Sequence, residues 1–291
     1  MRIQSIETPE QRRTAREFVG EQSTGLSEQK AGWLELPQGR HGAGLRVLYD
    51  ENPVGYAGLS PARAQGEWAV EVVTGDSGVA AQLVEEAMDR LSRRGVHRIR
   101  WWTYDPLTEV LPPRLGFRPE RRLLRMARPL PGPDPSFPTE VEVRGFTPDE
   151  DEDAWLTVNN AAFAGHAENS NLDRQDLLGK MELEWFDPAG LRMAWWGTDL
   201  AGFCWTKRHG STDGEIYIIG TAPAYQGHGL GRALVLEGMR HLSGMGCSRV
   251  LLYTEGDNER AVGLYESLEF EVEVVHRSFI AELSPAATPK G

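Results

Sequence analysis

The residues of this 291-residue sequence best spaced for chemistry are Gln226-Gly227-His228-Gly229-Leu230-Gly231-Arg232. Before them runs Glu-Ile-Tyr-Ile-Ile-Gly-Thr at 215–221, which reads as a buried strand from its β-branched and aromatic content. After them, apolar residues at Leu230, Leu234, Leu236, Met239 and Leu242 keep a helical period until Gly246 stops it. Glycines at such a strand-to-helix turn let backbone N–H groups approach a ligand closely. The helix behind them aims its free N–H groups and positive dipole end at the same place, a seat for a phosphate or pyrophosphate. A plain tight turn is the other reading of the same glycines.

The neighbouring elements are legible from the same half of the chain. Residues 191–196 and 200–207 are apolar runs around a Thr-Asp turn and predict a hairpin. Residues 249–254 (Arg-Val-Leu-Leu-Tyr-Thr) predict a further strand, 258–268 a helix with Asn258 as N-cap, and 272–283 more extended chain. The first half repeats this plan. Val54-Gly55-Tyr56 matches Ala201-Gly202-Phe203, Glu67 matches Glu215, Gly95 matches Gly246, and Leu115-Gly116-Phe117 matches Leu268-Glu269-Phe270. A slowly drifting offset with the same element order is what a duplicated domain leaves. Five prolines in residues 129–138 break the composition and read as a semi-rigid linker. The expected organisation is a domain at 1–130, the linker at 129–138 and a domain at 139–291. Each would be an α/β (α+β) layer structure, a mixed and mostly antiparallel sheet flanked by helices.

Three pieces in order carry a family resemblance: the strand at 215–221 followed by Pro223, the loop with Gln226, Gly229 and Gly231, and Asn258-x-x-Ala261-x-x-x-Tyr265-x-x-Leu268-x-Phe270. Together they resemble the GNAT superfamily of acyl-CoA-dependent N-acyltransferases, whose pyrophosphate loop reads Gln/Arg-x-x-Gly-x-Gly/Ala. The resemblance implies two tandem GNAT domains and acetyl-CoA as co-substrate. It implies cofactor contacts from Ile219, Gly220, Thr221, Gln226, Gly227, His228, Gly229, Leu230, Gly231 and Arg232, and from Asn258 and Arg260 on the next helix. Glu269 departs from the family's Leu-Gly-Phe and is expected to alter a turn. In the first half, the loop lacks its Gln or Arg and is about three residues shorter. There Pro112 stands where Tyr265 does, and Asp105 where Asn258 does. That half is expected to be a degenerate copy and not a second active site.

A narrower resemblance covers most of residues 140–283. Val158-Asn-Asn-Ala-Ala-Phe-Ala-Gly-His166, residues 184–191, Phe203-Cys-Trp-Thr-Lys207, residues 214–217 and Leu252-Tyr-Thr-Glu-Gly-Asp-Asn258 are similar to the catalytic half of the mycothiol synthase family. That family acetylates the cysteinyl α-amine of a cysteinyl-glucosaminyl-inositol. Position by position, the resemblance implies substrate contacts from Glu28, Glu168, Lys207, Glu215 and Tyr253. His166-Ala-Glu-Asn169 stands where the family has His-Pro-Glu-Gln, which sets the Glu168 loop apart. An ammonium must lose a proton before it attacks, so a carboxylate is needed, and Glu215 is expected as catalytic base. Its plain alternative is a solvated strand-start carboxylate. Backbone N–H groups near Ile219 and Gly220 would face the oxyanion, and the Tyr265 phenol would protonate the departing thiolate. Tyr265 reads otherwise as a core residue of an amphipathic helix, and Lys207 as a surface lysine. Other acceptors, an aminoglycoside or a peptide N-terminus, and a non-catalytic acyl-CoA-binding module remain as alternatives.

Composition bounds these readings. With 43 acidic residues against 31 basic ones, the net charge of −12 and the lack of a long basic stripe argue against nucleic acid. No run of about 18 apolar residues could span a bilayer, and residues 1–20 carry no stretch of signal-peptide length. A cytoplasmic monomer acting on a small-molecule amine is expected. Two cysteines, Cys204 and Cys247, are too few for a disulfide framework, and His41, His166, His209 and His228 show no metal-ligand spacing. The tryptophans read as packing.

Overall fold

The structure, a computed structural model, describes residues 2–22, 43–49, 52–62, 66–103, 110–164 and 171–284. The chain packs as two compact units, residues 1–122 with 275–291, and residues 123–274. The first contains β1 (Arg2–Ser5), α1 (Pro9–Gln22), β2 (Ala43–Tyr49), β3 (Asn52–Pro61), β4 (Glu67–Val73), α2 (Ser77–Arg93) and β5 (Arg98–Thr103). β6 (Arg118–Pro129) then leads into the second unit. There follow β7 (Val141–Gly145), α3 (Glu152–Ala162), α4 (Arg174–Met181), β8 (Leu191–Trp196), β9 (Asp199–His209), β10 (Asp213–Thr221), α5 (Leu230–Gly244), β11 (Arg249–Glu255) and α6 (Glu259–Glu266). β12 (Glu271–Glu282) leads back into the first.

In the first unit the strands pair in the order β1-β2-β3-β4-β5, antiparallel except for β4 with β5, and residues 277–282 of β12 pair antiparallel with β5. In the second, β7-β8-β9-β10 are antiparallel, β10 and β11 are parallel, and residues 123–129 of β6 pair with β11. Each parallel pair is joined by a helix, α2 or α5, because parallel strands need a long crossover. These are mixed, mostly antiparallel sheets flanked by helices, as expected.

The unit boundaries differ from those expected at 130 and 139. The proline-rich stretch lies inside the second unit: Leu130 N–H donates to the Ser248 carbonyl at 2.8 Å, and Gly132 packs so tightly on Met239 that a Cβ would collide with it. The division falls at 122 and 274 instead, because the last strand of each sheet is drawn from the other half of the sequence.

Matched positions of the repeat do matched jobs. Gly55 lies under Val79 of α2, where a Cβ would stand 2.6 Å from Val79 Cγ1; Gly202 lies under α5, where a Cβ would stand 2.8 Å from Leu234 Cδ1. Both glycines let the crossover helix sit down on its sheet. Gly95 and Gly246 end those helices at φ 75° and 86°. Gly116 has φ 82°, and its counterpart Glu269 is held at φ 63°. A side chain in that conformation costs about 1–2 kcal/mol, which is why glycine suits the corner.

The first core forms where α2 buries Val79, Ala80, Leu83, Val84, Ala87 and Leu91, one stripe at i, i+3 and i+4 spacing, against Ile99 and Trp101. In the second unit α5 covers one face of the sheet and Gly238 brings it onto β9; a Cβ there would stand 2.5 Å from Cys204 Sγ. The other face buries Trp155, Phe203 and Trp205, with the Phe203 and Trp205 rings lying 5.3–5.5 Å from Trp155. Both cysteines are free and buried, and Trp101 is core, as expected.

Candidate active site

Three features of the second unit converge on the start of α5. β10 bulges against β9 between Ile216 and Ile218, and its parallel ladder with β11 covers only Asp213–Arg249 to Ile216–Leu252. Beyond Ile216, the β10 ladder continues with β9 alone, to Thr221 opposite Gly202. The β11-facing edge of Ile219, Gly220 and Thr221 is thus left outside a ladder, where an extended amide ligand would find strand-like partners.

The loop follows. Gly227 and Gly229 have φ 85° and 81°, and no atom lies within 4 Å of a Cβ built on either. Gly229 is the N-cap of α5 and supplies no side-chain cap, so the first amides of that helix keep their capacity for an anion. Side chains hold the loop from behind. Gln226 Nε2 donates to the Thr221 carbonyl at 3.4 Å, Arg260 Nη1 donates to Gln226 Oε1 at 3.3 Å, and His228 Nδ1 donates to the carbonyls of Tyr225 and Gln226 at 3.3 and 3.1 Å. Arg232 Nη1 donates to Ser267 Oγ at 3.0 Å, and Asn258 caps α6 by accepting from Ala261 N–H at 3.1 Å. The loop is open in front and braced behind, a fit for a pyrophosphate.

The acceptor-side residues lie along β9–β11. Glu215 is 2% exposed, which removes the reading of a solvated carboxylate. Lys207 stands directly across the ladder from it, with its ammonium 5.0 Å from the centre of the Trp185 ring. Burial pushes the Tyr253 phenol up to about 12, with the charge of Glu215 adding to the effect. Tyr265 is buried on α6 against Phe270, and burial raises its phenol well above the usual range, so it holds its proton at neutral pH. Glu28 and Glu168 lie outside the described residues.

One contact escaped the sequence reading. His209 Nε2 lies 2.6 Å from Glu215 Oε2. Six residues apart with no motif between them, the two meet because the β9–β10 turn sets them diagonally across the hairpin. Trp185, Tyr217 and Lys180 also gather beside Lys207: Lys180 Nζ donates to Tyr217 Oη at 3.1 Å, and the Trp185 and Tyr217 rings are 4.9 Å apart.

The Acetyltransferase (GNAT) family model matches residues 146–270. A mycothiol acetyltransferase of Thermomonospora curvata is 40% identical over 265 residues, 87% of this chain and 87% of its own. This chain belongs to the mycothiol acetyltransferase family. A mycothiol acetyltransferase of Thermobispora bispora is 38% identical over 82% of this chain and 85% of its own, and one of Catenulispora acidiphila 41% identical over 74% and 73%. A GCN5-related N-acetyltransferase from Sphaerobacter thermophilus shares the fold at TM-score 0.78 and 20% identity, covering 98% of this chain and 97% of its own. A tandem GNAT protein from the clavulanic acid biosynthesis pathway does so at TM-score 0.74 and 15% identity, covering 98% and 100%. Membership makes the protein an N-acyltransferase that draws on acyl-CoA.

In the first unit the matching positions make different contacts. Asp76 Oδ1 accepts from the N–H groups of Gly78 and Val79 at 2.7 and 2.9 Å, the amides that match Gly229 and Leu230. A carboxylate of the chain itself thus caps this helix start. Glu67, the match of Glu215, is bound by Arg100 at 2.6 Å, and by register Arg100 is the counterpart of Tyr253. Among the described residues, no group of His, Cys, Asp and Glu could hold a metal ion, and no helix is long and apolar enough to cross a membrane.

Proposed function

We propose that the protein transfers an acetyl group from acetyl-CoA to the cysteinyl α-amine of cysteinyl-glucosaminyl-inositol, giving mycothiol, as a soluble cytoplasmic monomer. The observation that carries this is a buried, hydrogen-bonded Glu215 on the strand that leads into an uncapped, glycine-lined helix start. Relatives named mycothiol acetyltransferase at about 40% identity supply the acceptor.

Bound acetyl-CoA supplies the thioester carbonyl as electrophile. Gln226, Gly227, His228, Gly229, Leu230, Gly231 and Arg232 form the pyrophosphate cradle with the dipole of α5, and Asn258 and Arg260 flank it. Glu215 accepts a proton from the acceptor's ammonium, directly or through a water, and exposes the lone pair. Backbone N–H groups near Ile219 and Gly220 stabilise the negative charge developing on the carbonyl oxygen. Tyr265, protonated through the working pH range, donates to the sulfur as it leaves. Lys207 and Tyr253 hold the polyhydroxylated remainder of the acceptor. The first unit, with its helix start capped by Asp76 and its carboxylate paired to Arg100, does not turn over acyl-CoA.

The test is mass-spectrometric detection of N-acetylated product from acetyl-CoA and cysteinyl-glucosaminyl-inositol. Product formation that collapses in Glu215→Gln supports both substrate and base. Tight acetyl-CoA binding with no product from this acceptor overturns the assignment and directs the search to other primary amines.

A further inference from the structure

We propose that His209 is a positioning residue for Glu215, donating an Nε2–H hydrogen bond that fixes which carboxylate oxygen meets the acceptor amine. This rests on the reading of Glu215 as catalytic base.

The geometry starts with the hairpin. Lys207 pairs with Glu215 and His209 with Asp213, so His209 is the diagonal neighbour of Glu215 on the same face of the two strands. The neighbouring charges are otherwise engaged. Lys207 lays its ammonium over Trp185, and Arg249 bonds Asp213 at 3.3 Å as well as Glu273, which Arg125 also reaches at 3.4 Å. The 2.6 Å contact between His209 Nε2 and Glu215 Oε2 holds the carboxylate. Two lone pairs cannot face each other at that separation, and a carboxylate acting as base brings no proton, so the ring donates. With Oε2 taken, Oε1 is the oxygen that receives the amine's proton.

The choice of an imidazole has a reason that the first unit makes visible. There the matching carboxylate, Glu67, is bound by Arg100 at 2.6 Å and approached by Arg98 at 3.8 Å. A guanidinium always carries its charge, and a carboxylate paired with one is stabilised as the anion and poor at taking a proton. An imidazole can donate a hydrogen bond without carrying a positive charge. His209 therefore orients Glu215 through one directional bond and without the permanent charge of a guanidinium. It is also 25% exposed, whereas Glu215 is nearly sealed.

Steady-state kinetics of five variants test this. His209→Leu is expected to lower kcat about 10- to 100-fold, the scale of a hydrogen bond to a charged group. KM for acetyl-CoA should stay within about threefold, since the bond serves a step after binding. His209→Gln, whose amide reaches the position of Nε2, should recover kcat to within roughly fivefold, and His209→Asn, too short to reach, should not. In a Glu215→Gln background, His209→Leu should cause no further loss, because the two act as one unit. Wild-type kcat in His209→Leu overturns the proposal, as do losses that multiply in the double variant, which mark a structural role. If His209→Leu fails to fold, judged by thermal unfolding and acetyl-CoA binding, the Gln and Asn pair decides alone: equal kcat values overturn it. Full activity in Glu215→Gln is a separate outcome that removes the base and, with it, the need for a positioning residue.

Discussion

Gly229 and Gly231 stand two residues apart in the same loop, and replacing each with alanine should move stability in opposite directions. Gly229 is at φ 81° with open space around a Cβ, so the only strain in Gly229→Ala is backbone conformation. That strain is about 1–2 kcal/mol, offset by about 0.4–1 kcal/mol from the stiffer unfolded chain, for a net loss near 1 kcal/mol. Gly231 lies in the first turn of α5 at ordinary helical φ, and the nearest atoms to its Cβ would be Leu264 Cδ2 at 3.8 Å and Thr221 Oγ1 at 4.0 Å, normal contact distances. Gly231→Ala should therefore gain about 0.5 kcal/mol from helix propensity alone. Binding separates the two further. If the Gly229→Ala variant escapes its strain by turning the helix start, acyl-CoA loses charge-assisted N–H bonds and affinity falls about tenfold or more. Gly231→Ala leaves those amides in place and should hold affinity within about threefold. Urea unfolding gives the first quantity and calorimetric titration with acetyl-CoA the second. Equal stability changes of the same sign in both variants would refute the argument from backbone conformation, and unchanged affinity in a Gly229→Ala variant that has lost no stability would refute the cradle.

Further outcomes follow from contacts in both units. Asp76→Ala removes a helix cap and should cost about 1 kcal/mol in urea unfolding while leaving acetyl-transfer rates unchanged. Glu269→Gly relieves a left-handed residue worth about 1–2 kcal/mol, but it loosens the unfolded chain and gives up the ion pair of exposed Glu269 with buried Arg128, so the net change in the same assay should stay within about 0.5 kcal/mol. Burial raises both Tyr253 and Tyr265 above the ordinary phenol value of about 10. Above that pH the unfolded chain binds fewer protons than the folded one, so stability is intact below about pH 10 and falls as pH rises further. Unfolding midpoints at pH 9, 10 and 11 check the slope, and Tyr253→Phe should flatten it.

The parts of the protein set by local pattern were readable in the residues. Periodic apolar positions located α5, β-branched runs located β10 and β11, and Asn258 caps its helix as its residue type implies. Gly227 and Gly229 announced their conformations because few other residues tolerate φ near 80°. Contacts fixed by hairpin register were hidden, since the pairing of His209 with Glu215 depends on a turn and carries no spacing motif. Strand exchange was hidden for a different reason: residues 118–129 and 271–282 read as strands without naming the sheet they would join. A run of prolines looks like a boundary in composition, yet Leu130 and Gly132 find partners on the second unit like any packed segment.

That exchange sets a timetable for synthesis. β5 leaves the ribosome with β4 already available on one side, but its other neighbour is residues 277–282, which also bring Phe279 and Ala281 to the first core. At roughly 5–20 residues per second, about ten to thirty-five seconds of translation separate Thr103 from Arg277. For that interval the earlier-made sheet presents an open edge beside Ile99 and Trp101, and an unpaired edge is a template for pairing with another chain. Fast elongation through the later-made half therefore protects the first unit.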